Sequence, residues 1–253
     1  MKDPISAPPF RLLLVSLLFF ALAAHVSAQS AAGPMTRRID AAVRQRAANV
    51  AGFTDIEHYA VYRGKDETHP AAEITVKATF RRGEGRSYRI LSQSGSEVIR
   101  KLGLIRLLKE EKALSQPGTL EQNWLNSTNY QMSLKSDKPE QINGHLCYAI
   151  SIVPKRRAPE TLIGTLWVDA DDYAAIRIDG VPSRRPSIFA GSTRITRDYE
   201  EVHGYSMATF ARAESNSRWI GRTVITVSYS HYHLFLRSDP ALENGVIADS
   251  RAD

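Results

Sequence analysis

The sequence predicts an α+β chain that is mainly β, with its strands paired antiparallel. Three observations carry this. Apolar and polar residues alternate with a period of two through most of the chain. The breaks between the alternating runs are short turns, above all Asn143-Gly144 and His203-Gly204, which join successive strands as hairpins. Helical spacing appears in only two stretches, so the crossover helices that parallel pairing needs are missing. Roughly nine or ten strands and two substantial helices result. No repeat suggests a solenoid or propeller.

Residues 1–28 have the marks of a secretory signal peptide. Lys2 and Arg11 supply positive charge, and residues 12–24 form an apolar core too short for an ordinary membrane span. Val26-Ser27-Ala28 then offers a small-residue cleavage site. Cleavage after Ala28 would make the protein periplasmic; an uncleaved anchor is the alternative. No cysteine follows the apolar core, so no lipid anchor of the chain's own is expected. Residues 29–238 are expected to form one domain, and 239–253 a polar C-terminal tail.

The chain of 253 residues has one cysteine, Cys147. An exported chain with one thiol has no internal disulfide, so packing must hold it. Cys147 lies within a strand pattern and reads as a buried, inert thiol. The formal charge of +6 is mildly basic and favours anionic partners, such as a transient contact with a membrane surface. No nucleic-acid motif or basic–aromatic stripe is present, so nucleic acid is not an expected partner.

Residues 31–34 read as a linker. Thr36 is placed to cap a helix running to about Val50, with Ile39, Val43, Ala47 and Val50 at helical spacing. A strand over 56–63 follows, and His69-Pro70 breaks the next loop. Residues 73–81 alternate most cleanly: Ile74, Val76, Ala78 and Phe80 share one face. Gly83-Glu84-Gly85 turns the chain into a return strand over 86–91. Ser94-Gly95-Ser96-Glu97 fits a capping box. It opens a helix over 96–114 with Val98, Leu102, Ile105 and Leu108 on one stripe, and Gly103 inside at a cost of about 1 kcal/mol against alanine. Pro117-Gly118 ends that region, and 130–134 is a short strand.

Past Asn143-Gly144, Leu146, Tyr148, Ile150 and Ile152 share a face, with Cys147, Ala149, Ser151 and Val153 opposite. Pro154 stops the ladder because it has no N–H to donate. Strands over 161–168 and 173–181 follow, separated by Asp169-Ala170-Asp171-Asp172. The loop 182–191 carries Phe189. A hairpin over 193–202 and 205–214 and a long strand over 223–235 complete the domain.

The run Ile142-Asn143-Gly144-His145-Leu146-Cys147-Tyr148, then Pro154-Lys155, Gly164-Thr165-Leu166-Trp167-Val168-Asp169, Asp172-Tyr173 and Arg177, resembles the LolA/LolB-like family of periplasmic lipoprotein carriers, including outer-membrane lipoprotein-sorting proteins. A looser likeness covers 39–236. The resemblance implies an open antiparallel β half-barrel with helices covering its concave, apolar side. It also implies a cavity for lipid acyl chains. The carriers' lid arginine is not assigned to any one residue here, and relatives of the same fold sense envelope stress or carry glycolipids.

Candidate chemistry is thin. His231 and His233 share a strand face, but no third ligand is fixed by spacing, and the two are expected to continue the face of Ile225, Val227 and Tyr229. Asp169, Asp171 and Asp172 lack the glycine and closing glutamate of a calcium loop and suit a turn. No Gly-x-Ser-x-Gly elbow is present, and nothing orients His145 as a base for Cys147. No cofactor, metal or catalytic site is therefore expected, and the chain is not expected to be an enzyme.

On the carrier reading, the candidate cavity wall is Ile74, Val76, Phe80, Tyr148, Ile150, Ile152, Leu166, Val168, Ile176, Ile178, Ile225 and Val227. The candidate lid is Val98, Leu102, Ile105, Leu108 and Phe189. The alternation does not say which face is concave. The expected partners are lipid or lipoprotein acyl chains, with donor and acceptor proteins of the envelope. The alternatives are a periplasmic sensor or regulatory binding protein of the same fold, and a structural envelope protein whose core is filled by its own side chains.

Overall fold

In a computed structural model, residues 27–185, 191–218 and 221–237 are described, with side chains from residue 33 onward. Phe189, the tail 239–253 and nearly all of the expected signal segment lie outside the described residues.

The elements in chain order are α1 (Ser27–Asn49), β1 (Val50–Arg63), β2 (Ala72–Arg81), β3 (Gly85–Gly95), α2 (Glu97–Ile99), a π segment (Arg100–Leu104), α3 (Ile105–Leu114), β4 (Tyr130–Leu134), β5 (Glu140–Ile142), β6 (His145–Pro154), β7 (Leu162–Asp169), β8 (Ala175–Pro182), β9 (Ser192–Val202), β10 (Tyr205–Ser217) and β11 (Gly221–Leu236). The strands make one 11-stranded sheet in the order β3-β2-β1-β11-β10-β9-β8-β7-β6-β4, with β5 also on β6. Every pairing is antiparallel. Strands β3 and β4 are not paired with each other, so the sheet is an open half-barrel rather than a closed barrel. The first and last strands, β1 and β11, meet in its middle, and the edges are β3, from the β2–β3 hairpin, and β4, which pairs with β6.

The turns follow the residues. Asn143 and Gly144 take φ of 52° and 86°, and His203 and Gly204 take 51° and 81°. Positive φ at both central positions suits the right-handed twist of the strands they join.

Register carries one face across all strands. Val61, Tyr59 and Glu57 of β1 stand opposite Ala72, Ile74 and Val76 of β2 and opposite Ile225, Val227 and Tyr229 of β11. The row continues through Ala211, Arg197, Ile178, Leu166 and Ile150. This is the inner, helix-covered face. The stretch 96–129 crosses it from the β3 edge to the β4 edge. Leu104 and Leu108 sit among Tyr59, Ile74, Val76 and Val227. Leu120 packs beside Val50, Phe53, Phe80, Met207 and Leu234. Leu125 packs with the group of Tyr130, Ile150, Leu166 and Ile178, where Ile39 of α1 is buried. Asp40 of α1 accepts from the Ser127 backbone N–H at 2.7 Å and so ties the two covers together.

Four local expectations are corrected. Residues 31–34 are helical, and Thr36 lies inside α1, not at its start; Pro34 within the helix removes one backbone donor without ending it. Ser94 belongs to β3 and donates to Glu73, while the helix is capped by Ser96, which accepts from the Ile99 N–H. The stripe Val98–Leu102–Ile105–Leu108 is broken by the π segment. Its wider turn spaces the inward residues by five, from Ile99 to Leu104, and leaves Val98 and Leu102 at 64% and 72% exposure. His231 and His233 do not continue the inner face: His231 takes φ 54° at a bulge, so Tyr232 and Leu234 turn inward and both histidines are exposed.

Candidate functional site

Eleven of the twelve candidate wall residues pack on the inner face, but not in one group. Ile74, Val76, Val227 and the half-buried Ile225 pack beneath α3. Ile150, Ile152, Leu166, Val168, Ile178 and the half-buried Tyr148 pack beneath α1. Phe80 belongs to a third cluster with Phe53 and Met207. Ile176, expected on the wall, is buried at a bulge in the β7–β8 pairing, which turns it out of the inner clusters and into the lining of an outer cleft beside His145 and Asp169. Of the candidate lid, Leu108 is buried and Ile105 packs against the same cluster, whereas Val98 and Leu102 face outward.

Between the apolar groups runs a polar seam that the alternation did not announce. It begins on β1, where Asp55 and Glu57 occupy inward positions between Phe53 and Tyr59 and are 1% and 0% exposed. Arg86 of β3 donates to Glu57 Oε1 at 2.6 Å and lies 3.7 Å from Glu111 of α3. Tyr59 donates its one hydroxyl proton to either of two carboxylates within reach, Glu57 or Glu111, the latter at 2.7 Å. Tyr88 is 3.0 Å from the same Glu111 oxygen. Glu111 thus fastens α3 to the sheet through two phenols and a guanidinium.

Burial raises the Glu57 carboxyl's pKa even against the pull of Arg86. Burial likewise works against the charge of Arg86, but Glu57, Tyr88 and Glu111 hold its guanidinium protonated. Asp55 is pushed up to about 7, by burial first and by the neighbouring Glu57 second. Neither Asp55 oxygen has a well-formed hydrogen bond. Tyr232 lies close by, but its hydroxyl is committed to the Ala208 carbonyl at 2.7 Å.

Further along the seam stand Arg197 and Tyr199 of β9, Tyr229 of β11, and Arg46 from the last turns of α1. Arg46 reaches the Met207 sulfur at 3.3 Å. The Nε atoms of Arg46 and Arg197 are buried without a partner. Burial depresses the Arg46 pKa, whereas the Tyr229 phenol raises that of Arg197.

Outside this face lies a small cleft of about 260 Å³, lined by His145, Asp169, Asp171, Asp172, Ile176, Glu200 and Glu201 among others. His145 Nδ1 lies 2.9 Å from Asp169, and Asp169 and Asp172 also accept from the backbone N–H groups of Asp171 and Ala174, as turn aspartates do. Among the described residues no group of three or more His, Cys, Asp or Glu is arranged to hold a metal ion. Cys147 is fully buried, and burial raises its thiol to about 11. Among the described residues no helix is long and apolar enough to cross a membrane.

Sequence reasoning missed the seam because its residues are scattered: a first strand read from Ile56 excludes Asp55, and charged residues are read by default as solvated. The signal available was Asp55 and Glu57 in phase with Phe53, Tyr59 and Val61.

No family model and no curated protein matches the chain. Three solved structures are similar to it in outline. A LolA superfamily protein of Nitrosomonas europaea shares 13% identity, with 83% of this chain and 94% of that one covered and a TM-score of 0.44. A domain named for outer membrane lipoprotein sorting, from Vibrio parahaemolyticus, shares 11%, with 85% and 97% covered and a TM-score of 0.47. A DUF1329 family protein of Desulfovibrio piger shares 15%, with 82% and 96% covered and a TM-score of 0.41.

Proposed function

We propose that the protein is a periplasmic, non-enzymatic carrier of lipid or lipoprotein acyl chains, which takes its cargo on the inner face of the half-barrel when the helical cover lifts. The observation that carries this reading is the kind of cover. An apolar sheet face is closed not by a second sheet but by single stretches of chain, each reaching the face with few side chains.

The energetics favour exchange. Lifting the π segment and α3 uncovers Leu104 and Leu108, at about 1.5–3 kcal/mol each, and the partly buried Ile99, Ile105 and Leu107, at about 1 kcal/mol each. It also breaks the two phenol hydrogen bonds on Glu111, at about 1 kcal/mol each. The total is on the order of 8–11 kcal/mol. An acyl chain gains about 0.8 kcal/mol per buried methylene, so about fifteen methylenes bring ~12 kcal/mol. Cargo outweighs the cover by a margin small enough to permit release. Val98, just before the π segment, and Leu102, within it, are exposed and would be the first apolar side chains that a cargo meets there.

The test is mass spectrometry of lipids that co-purify with the protein from the periplasm, with uptake of a fluorescent acyl probe by the delipidated protein. Co-purifying acyl lipid and saturable uptake are expected. A protein that emerges lipid-free and refuses the probe would be a filled scaffold or a sensor of another ligand.

A further inference from the structure

We infer that the seam between the apolar clusters binds a zwitterionic head group of the phosphoethanolamine type, with Arg46 and Arg197 taking the oxyanion and Asp55 taking the ammonium. This rests on the carrier reading and adds the chemistry of the cargo's head.

Three facts lead there. The first is incomplete satisfaction. Neither oxygen of Asp55, a residue only 1% exposed, has a well-formed hydrogen bond, its neighbours being Tyr232, Glu57 and Arg86, and the Nε atoms of Arg46 and Arg197 are buried without one. Leaving such groups unpaired is costly, and native interiors rarely do so without a use for them. Glu57, by contrast, accepts from Arg86 and shares the Tyr59 hydroxyl with Glu111.

The second is convergence. Tyr232 is an electrostatic neighbour of both Asp55 and Arg46, and Tyr199 of both Arg46 and Arg197. Register agrees: Tyr199 pairs with Ala208, whose carbonyl holds the Tyr232 hydroxyl, and Arg197 pairs with Ala211. The orphan acceptors and orphan donors therefore face one region. Ala208 and Ala211 are the β10 residues there, and their short side chains keep its floor low.

The third is position. The seam has an apolar cluster on each side, beneath α3 and beneath α1. A head held in the seam would send its chains over both. A simple anion would satisfy the arginines but meet the Asp55 carboxylate. A simple amine would do the reverse. A group carrying both charges suits Asp55, Arg46 and Arg197 together, and guanidinium forks suit a phosphate.

The experiment incubates the full chain with vesicles of equal phosphatidylethanolamine, phosphatidylglycerol and phosphatidylcholine and quantifies the lipid taken up. Soluble glycerophosphoethanolamine and inorganic phosphate are titrated separately by calorimetry. Phosphatidylethanolamine should exceed each of the other two by about ten-fold, as one charge-assisted hydrogen bond allows. The choline head lacks N–H donors and the glycerol head lacks the ammonium. Asp55→Asn should abolish the preference while total uptake persists, and Arg197→Gln should lower uptake of all three. Circular dichroism establishes that each variant is folded, and the wild-type preference decides the matter if one is not.

Uptake without preference, or a preference for phosphatidylglycerol, overturns the head-group assignment and leaves the carrier. Binding of glycerophosphoethanolamine without lipid uptake keeps the site and overturns the carrier. Binding of neither overturns both. Inorganic phosphate binding as tightly as glycerophosphoethanolamine removes the ammonium from the assignment and overturns it.

Discussion

A buried carboxylate is informative because it is expensive, and the inner face holds two within three residues. Glu57 has its compensation in Arg86 and Tyr59, whereas Asp55 has none of comparable geometry. The consequence is a defined pH dependence. The Asp55 pKa rises from an ordinary 3.8 to about 7 in the folded protein. A carboxyl that holds its proton more tightly folded than unfolded supports the fold fully below the unfolded value. That support is lost as pH rises from about 4 towards about 7. At ~1.4 kcal/mol per pH unit, its ceiling is about 4 kcal/mol. Glu57, also raised, adds a slope of the same sign. Urea unfolding of wild type and Asp55→Asn at intervals from pH 4 to pH 8 should give a falling stability for the wild type and a shallower fall for the variant. Parallel curves would show that Asp55 titrates normally and is not desolvated as its burial says.

At the scale of elements, the sequence was legible where the chain obeys a single period and opaque where one residue shifts the phase. β2 and the hairpin at Asn143-Gly144 were legible because alternation and turn chemistry agree over many residues. The helix after β3 was misread in its facing because a π turn leaves no mark in an apolar spacing of three and four. The last strand was misread beyond Ser230 because a positive-φ histidine is a rare bulge residue. β1 was cut short at Ile56 because Asp55 and Glu57 look like loop residues until their partners on other elements are known. The candidate site suffered most, since a polar seam assembled from five strands and two helices has no local signature. Close strand approach was also missed at Gly164 and Gly180, which face each other on β7 and β8. A Cβ on Gly164 would stand 2.1 Å from the Asp179 carbonyl oxygen, and one on Gly180 would stand 2.6 Å from that of Ile163. Both contacts are to backbone of the paired strand, which cannot move without breaking the ladder. Gly164→Ala is therefore expected to lower unfolding stability by about 1–3 kcal/mol, read from the urea midpoint at constant slope. A change within about 0.5 kcal/mol would mean that the two strands part freely there.

For the molecule as a whole, the two covers are unequally fixed, and on the carrier reading α3 is the one expected to move. Helix α1 runs directly into β1 at the centre of the sheet, and Asp40 anchors it to the Ser127 loop by two bonds from that residue. Helix α3 follows the π segment, buries only Leu108 among its own residues, and is fastened through Glu111. A π segment is a register compromise that opens at low cost, and a helix held by one polar anchor and few apolar contacts belongs to the low-stability end of a structure. Native-state hydrogen exchange should therefore find the amides of Ile105–Leu114 opening at least about ten-fold more often than those of β1 and β11, whose long pairing runs through the middle of the sheet. Glu111→Gln should widen the gap by weakening the tie to Arg86, Tyr59 and Tyr88, without altering exchange in β6–β8, which lie beneath α1. Saturation with an acyl probe should change the protection of α3 and leave β1 and β11 unmoved, because on the carrier reading the cargo would take the place of Leu104 and Leu108 and not of the sheet. If α3 exchanged only with global unfolding, the cover would be part of the core, and cargo would have to enter beneath α1.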